Sequence, residues 1–190
     1  PQFWAEVKSS QGPQSRIIET FGSERMREEN LPAIIAGDLV VSFALSEPHC
    51  GSDVSAIRTN ARRSGDGWVL NGAKTYISNG FRAKKTVVAA YTDKDKGASG
   101  GISLFLVPTD APGYSFSGTL QLMGTATPGV AELAFDGEGL LDLGARGSEF
   151  LVLRDEGEHH RQRPPIGRAH QRLQLHPHHA GLVQPDADRP

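Results

Sequence analysis

Between residues 39 and 137 the sequence alternates short β-prone runs with turn-forming residues, and this alternation leaves few folds open. The β-prone runs lie at 39–45, 57–63, 68–70, 74–77, 86–91, 102–107, 114–116 and 132–135. Residues typical of turns separate them, most clearly at 93–101, 110–113 and 124–129. Many short strands with Gly and Pro between them are typical of an antiparallel barrel or sandwich.

The dipeptide Asn71-Gly72 stands between two of these runs, 68–70 and 74–77. Asn-Gly favours a type I′ turn, because both central residues of that turn need a positive φ. We therefore predict a tight hairpin centred on Asn71-Gly72. Asn79-Gly80 predicts a second tight turn shortly afterwards.

Two helices are predicted ahead of the strands, over residues 14–21 and 24–36. Apolar residues recur at helical spacing in both segments. Ser23 is suited to the start of the second helix, because its hydroxyl can accept a hydrogen bond from a free backbone N–H. Gly37 is suited to end that helix in a left-handed conformation.

The character of the sequence changes near residues 136–144. All six lysines lie within the first 96 residues, no aromatic residue follows Phe150, and six of the seven histidines lie at or after His159. The stretch from Glu156 onward is rich in Arg, His, Pro and Gln and has little apolar periodicity. Such a stretch buries little surface, so we expect a mostly disordered tail.

Composition argues against several classes of protein. A formal net charge of −2 argues against a nucleic-acid-binding surface. No run approaches the roughly 18 apolar residues of a membrane span. Cys50 is the single cysteine, which excludes an internal disulfide framework and fits a reducing compartment. With no recognisable secretory signal, the sequence predicts a cytoplasmic protein.

Two segments could carry chemistry. Residues 46–53 follow an apolar strand and are rich in small and hydroxyl residues. Their backbone N–H groups could surround an anion such as the pyrophosphate of a dinucleotide or of coenzyme A. Residues 74–80 alternate like a strand and end in a turn. Taken singly, residues 46–53 are better explained as an ordinary turn with Pro48 and Gly51, and residues 74–80 as a plain β-strand.

The residues indicate neither a metal site nor a catalytic nucleophile. His49 and Cys50 are adjacent, but no second cysteine or nearby histidine completes a zinc site. A catalytic Cys50 needs a base nearby in space, and no pattern indicates one. The histidines after residue 158 lack fixed acidic or cysteine partners. We assign no catalytic residue and no metal ligand.

Taken together and in order, these segments resemble the acyl-CoA dehydrogenase family. The resemblance covers about residues 14–136 and rests on Phe-Ala-Leu-Ser-Glu-Pro at 43–48, Gly-Ser-Asp at 51–53 and the run at 67–80, continuing through 103–107, 112–114 and 131–136. The loop signature at 43–53 and the strand signature at 67–80 are separated as they are in the family. A chance match to both is far less likely than a chance match to either one alone. The sequence departs from the family at His49, at Cys50, at 128–130 and after 136.

The resemblance implies an α+β fold and an FAD cofactor. It assigns residues 1–38 to the end of an N-terminal helical domain, 39–137 to a middle antiparallel β-barrel domain, and 138–190 to a linker and a non-family, disordered tail. In the family, FAD lies between the middle domain and a C-terminal helical bundle. The implied cofactor-binding residues are Phe43, Leu45, Ser46, Gly51, Ser52, Tyr76, Ile77 and Ser78. Ser52 would also lie by the acyl-CoA path.

The activity implied by the resemblance is α,β-desaturation of acyl-CoA thioesters in fatty acid metabolism. An electron-transfer flavoprotein usually reoxidises the flavin. The family's base is a glutamate of the C-terminal bundle in most members, and no residue here matches it, since Glu47 belongs to the loop signature. We therefore expect a truncated chain that is inactive alone and whose full-length relatives are homo-oligomers. Two alternatives remain. One is a fragment of an acyl-CoA oxidase or flavin monooxygenase of the same fold, and the other is a non-catalytic β module that binds a nucleotide or a partner chain.

Overall fold

The computed structural model describes residues 12–65, 67–123, 129–141 and 150–151. For residues 137–141 and 150–151 it describes only the backbone. These described residues form three helices: α1 (Pro13–Phe21), α2 (Glu24–Ala36) and α3 (Gly97–Gly101). The same part of the chain forms eight strands: β1 (Val41–Ala44), β2 (Asn60–Ser64), β3 (Gly67–Ser78), β4 (Lys85–Tyr91), β5 (Ile102–Pro108), β6 (Tyr114–Leu120), β7 (Val130–Leu141) and β8 (Phe150–Leu151). Single 3₁₀ turns lie at Val54–Ala56 and Lys94–Lys96.

The two predicted N-terminal helices are confirmed, together with the residues that bound the second. The backbone N–H of Met26 donates to Ser23 Oγ at 3.1 Å, as expected of a helix cap. Gly37 ends α2 with a φ of 86°, the left-handed conformation that glycine adopts without strain. These two residues fix the ends of α2 and so the direction in which the chain enters β1.

The strands form one mixed sheet in the order β6-β7-β3-β2-β4-β5-β8, with β1 paired beside β4. β1 and β2 both run parallel to β4, whereas the other pairs are antiparallel. A parallel pair needs a long crossover connection, and the chain between β1 and β4 supplies one. The predicted fold class, short N-terminal helices followed by a β sheet, is confirmed, and the parallel pairs are a feature that the alternation of runs and turns did not indicate.

The hairpin predicted at Asn71-Gly72 is wrong, because both residues lie inside the continuous strand β3. The turn between β2 and β3 lies earlier, where Ser64 pairs with Gly67. Gly72 has a φ of 147°, and a Cβ at this position would lie 2.7 Å from the Cα of Thr59. Glycine is therefore needed here for a close approach of two backbones. The turn predicted at Asn79-Gly80 is confirmed by a hydrogen bond from Gly80 N to Ile77 O at 3.1 Å.

The sheet is packed on both faces. One apolar cluster joins side chains of several strands: Ala44, Leu70, Ile77, Val88, Phe105, Leu133 and Phe135. The other lies between the sheet and the helices and includes Ile18, Met26, Ile34, Val41, Val87 and Leu106. Consecutive residues of β4 enter opposite clusters, as the pleat of a strand requires. This packing holds the end of β1 and the loop that follows it against the middle of the sheet.

The described residues all belong to one compact unit. The disordered tail expected at 138–190 lies outside the described residues, apart from the backbone of the last part of β7 and of β8. Within the described part of the chain, no helix has the length and apolar character needed to cross a membrane.

Candidate functional site

The loop at residues 46–53 and the last part of β3 lie side by side. The backbone N–H of Thr75 donates to the carbonyl oxygen of Ser46 at 2.9 Å. Within the loop, Glu47 and Cys50 exchange two backbone hydrogen bonds of 2.9 and 3.1 Å, which close it into a tight turn. The fold therefore brings together the two segments that the sequence singled out.

Glu47 is the acceptor at the centre of this junction, and only 4% of its surface is exposed. Its Oε2 accepts from the backbone N–H of Arg58 at 2.7 Å, and its Oε1 accepts from that of Thr59 at 3.0 Å and from Lys74 Nζ at 2.8 Å. Burial by itself raises the pKa of a carboxyl group. In Glu47 the hydrogen bonds outweigh burial, led by the one from Lys74, and hold the pKa below its usual value.

Lys74 lies in β3 and is 1% exposed. Besides its ion pair with Glu47, its ammonium group donates to the carbonyl oxygen of Leu45 at 3.0 Å. Burial lowers the pKa of Lys74, and the nearby Glu47 carboxylate partly offsets this effect. The two charges thus form a buried pair whose other hydrogen-bond partners are the carbonyl of Leu45, just before the loop, and two backbone N–H groups just before β2.

Glu47, His49 and Cys50 each place a potential metal-ligating atom within 4.8 Å of the others. The arrangement does not suit a cation, however. Both oxygens of Glu47 are already occupied by donors, one of them the Lys74 ammonium group. His49 Nε2 lies 3.1 Å from the carbonyl oxygen of Ala56, which can only accept, so in this hydrogen bond the nitrogen acts as a donor and does not offer a lone pair to a metal.

Tyr76 has an unusual backbone conformation for a residue with a side chain, with a φ of 59°. The pairing of β3 with β7 shifts register between Lys74 and Ile77, so Tyr76 lies in a bulge. Its ring is largely at the surface, with 62% of the residue exposed. Left-handed residues other than glycine cost of order 1–3 kcal/mol and are concentrated at functional sites. The bulge therefore places an exposed aromatic residue next to Thr75, which is bonded to the loop.

The eight residues predicted to bind a cofactor differ in exposure. Gly51, Ser52, Tyr76 and Ser78 are exposed, whereas Phe43, Leu45 and Ser46 are half-buried. Phe43 and Leu45 pack against the apolar cluster on the helix side. Ile77 is 1% exposed and lies in the opposite cluster, so a ligand at the surface can reach only its backbone.

Gly51 and Ser46 border the same space within the loop. A Cβ at position 51 would lie 4.0 Å from Ser46 Oγ and would touch nothing else. A ligand that approached the backbone of Gly51 would therefore also come near the Ser46 hydroxyl.

Sequence reasoning did not single out Lys74 for this site. The available signal was a lysine within a strand of buried residues, since lysine is almost never fully buried unless it is paired.

Comparison with known proteins identifies similar chains over this same region. A family model described as acyl-CoA dehydrogenase, middle domain, matches residues 42–137. The probable acyl-CoA dehydrogenase fadE25 of Mycobacterium leprae is 42% identical over 115 residues, which are 60% of this chain and 29% of that protein. The mitochondrial long-chain specific acyl-CoA dehydrogenase of Rattus norvegicus is 38% identical over 120 residues, 63% of this chain and 28% of that protein.

A similar fold occurs in a glutaryl-CoA dehydrogenase from Mycobacterium smegmatis whose crystal structure is in complex with FADH2. The two chains are 37% identical with a TM-score of 0.65, over 73% of this chain and 34% of that one. The present chain thus spans less than a third of the length of the two curated relatives just described.

Proposed function

Because the chain belongs to the acyl-CoA dehydrogenase family, we propose that it supplies the FAD-holding β domain of an enzyme that desaturates acyl-CoA thioesters at their α,β positions. The observation that carries the proposal is the hydrogen bond from Thr75 N to Ser46 O, which joins the hydroxyl-rich loop to the strand bearing exposed Tyr76. The proposal also treats residues 1–38 as the end of a helical domain and 39–137 as the middle domain.

The chemistry of the exposed residues fits FAD. The flavin presents a flat aromatic ring edged with hydrogen-bonding atoms, and the pyrophosphate is an anion that backbone N–H groups and hydroxyls can bind. We assign Tyr76 and the backbone of Ile77 to the ring, and the Ser46 and Ser78 hydroxyls to its polar edge. Gly51 and Ser52 are assigned to the pyrophosphate, with Ser52 also beside the acyl-CoA. Bound FAD supplies the acceptor for the hydride that leaves the substrate.

Glu47 does not act as the base that removes the substrate α-proton. Its carboxylate is buried, paired with Lys74 and bonded to two backbone N–H groups, and its pKa is lowered rather than raised. A general base near neutral pH needs a free carboxylate, often with a raised pKa. We assign this role to a glutamate of the family's C-terminal helical bundle, so we expect no desaturation by this chain alone.

The test is the visible spectrum of the purified chain after incubation with excess FAD and desalting. Retained flavin absorbance supports the proposal. A Ser46→Ala/Ser78→Ala variant is expected to retain less flavin, whereas the matched Ser64→Ala variant, at the far end of β2, retains as much as the wild type. Absence of retained flavin in the wild type overturns the proposal that this chain holds the cofactor.

Acyl-CoA is the proposed substrate and an electron-transfer flavoprotein the proposed electron acceptor of the complete, homo-oligomeric enzyme. Adding acyl-CoA to the FAD-loaded chain is expected to leave the flavin absorbance unchanged. Bleaching of the flavin bands contradicts the assignment of the base to the helical bundle. Oxygen consumption after bleaching indicates an oxidase or monooxygenase of the same fold in place of a dehydrogenase.

A further inference from the structure

The buried ion pair of Glu47 and Lys74 connects the two segments of the candidate site. Glu47 belongs to the loop at 46–53, and Lys74 belongs to β3 directly before the bulge at Tyr76. The Nζ–Oε1 distance is 2.8 Å, and the side chains are 0% and 2% exposed. None of the functions discussed above uses these two charges.

We propose that the Glu47–Lys74 pair is a clasp that sets the position of the loop relative to the end of β3, and that both are positioning residues for the cofactor. The clasp is defined by these two side chains and the groups bonded to them. The identity of the cofactor rests on the proposed function, whereas the geometry of the clasp does not.

Hydrogen bonds to this ion pair restrain the loop at three places along the chain. Lys74 Nζ donates both to Glu47 and to the carbonyl oxygen of Leu45, which comes just before the loop. Glu47 in turn accepts from the backbone N–H groups of Arg58 and Thr59, which follow the loop. The residue before the loop, the loop itself and the segment just before β2 are therefore all bonded to one pair of charges.

The same pair also holds the start of the Tyr76 bulge. Lys74 pairs with Leu133 of β7 as the last residue in regular register before the shift. The next residue, Thr75, donates its backbone N–H to Ser46 O. A displacement of Lys74 would move Tyr76 and the loop relative to each other, and a shift of about 1 Å in a binding site can cost as much as about 100-fold in function.

The energetics of buried charges favour a positioning role over a purely stabilising one. Moving two charges out of water is strongly unfavourable, so an apolar or neutral replacement of similar volume is often as stable as the ion pair. Removing only one partner leaves an unpaired buried charge and is strongly destabilising. Positioning and stability can therefore be separated by comparing single and double variants.

The experiment compares Lys74→Met with the double variant Glu47→Gln/Lys74→Met. Lys85→Met is the matched control, because Lys85 also donates to a buried side chain, Asn30 Oδ1 at 2.7 Å, but lies outside the clasp. Free energies of unfolding, FAD dissociation constants and hydrogen exchange of the Arg58, Thr59 and Thr75 amides are measured on the full 190-residue chain.

We expect Lys74→Met to be the least stable and the double variant to regain part of the loss. Both are expected to bind FAD about tenfold more weakly, because the loop and Tyr76 no longer keep their relative position. Both should also exchange the three amides faster. Lys85→Met should lose stability with an unchanged FAD dissociation constant.

The proposal is overturned if the double variant binds FAD and protects the three amides as the wild type does. It is also overturned if FAD affinity falls in proportion to stability in all variants, the control included. Failure of the wild type to bind FAD contradicts the proposed function alone. The hydrogen exchange of the three amides in the unliganded chain then decides whether the clasp exists.

Discussion

Tyr76 combines an exposed ring with a left-handed backbone, and the backbone alone makes a testable prediction. An alanine held in this left-handed conformation loses about 1–2 kcal/mol of stability, whereas glycine adopts it without that cost. We therefore expect Tyr76→Gly to have a higher free energy of unfolding than Tyr76→Ala, as measured by urea denaturation. At Thr119, an exposed position of β6 with ordinary backbone, the order should reverse, because glycine weakens a strand. The same order at both positions contradicts strain at Tyr76.

Glu47 predicts a specific response to acid. Hydrogen bonds hold its folded-state pKa below the ordinary value of 4.5. The carboxylate therefore contributes stability that is fully present above pH 4.5 and is lost as the pH falls through the lowered folded-state pKa.

Glu47→Gln cannot titrate, so its deficit in free energy of unfolding relative to the wild type should shrink between about pH 6 and about pH 3. Urea denaturation at several pH values measures this difference in free energy of unfolding. The contributions of the other carboxylates cancel in the difference, because both proteins carry them. A gap that stays constant or grows in acid contradicts a lowered pKa.

At this scale the sequence could predict the chemical character of the loop at 46–53, but not which distant residue its buried carboxylate pairs with. A hydroxyl-rich turn after an apolar strand follows from residues 46–53 alone. The pairing of Glu47 with Lys74, 27 residues further along the chain, depends on the register of β3. The left-handed Tyr76 likewise depends on the bulge opposite β7, which no local pattern near residue 76 indicates.

At the scale of elements, β3 shows how tertiary packing overrides a local turn signal. Asn71-Gly72 has the composition of a type I′ turn, yet Leu70 on one side and Ile77 on the other are both buried in the same cluster. A turn at 71–72 would remove one of these from the core. The sheet instead extends through the dipeptide, and Gly72 is used for its small size beside Thr59.

This explanation predicts different effects of the same substitution at two glycines. A Cβ at Gly72 would lie 2.7 Å from Thr59 Cα, so Gly72→Ala should lower the free energy of unfolding by about 1–3 kcal/mol. A Cβ at Gly118 in β6 meets nothing within 4 Å, so Gly118→Ala should be neutral or stabilise by less than about 1 kcal/mol. Urea denaturation compares the two, and equal effects contradict the close approach at Gly72.

At the scale of the whole molecule, the sequence indicated the β domain but not the topology of its sheet. Short runs and turns predict strands because each signal is local. The parallel pairing of β1 with β4 joins Val41 to Lys85 and Ala44 to Val88, across a span that contains β2 and β3. Such pairings are decided by which apolar faces meet, and many combinations of eight strands satisfy the same pattern of runs.

The shared apolar cluster between helices and sheet predicts that they unfold together. Met26 of α2 is 1% exposed and packs in the same cluster as Val41 and Val87 of the sheet. Met26→Ala should lower the free energy of unfolding by about 2–5 kcal/mol. The control Ile35→Ala, on the same helix but 70% exposed, should change it by less than about 0.5 kcal/mol.

Hydrogen exchange distinguishes a cooperative unit from separately melting parts. If α2 and β4 open together, their slowest amides report one common free energy of opening, and Met26→Ala lowers it equally in both. A loss confined to α2, with β4 unchanged, would mean that the helices are held on the sheet too weakly to share its stability. We expect the common loss, because the buried side chains of α2 contact the same cluster that covers one face of β4.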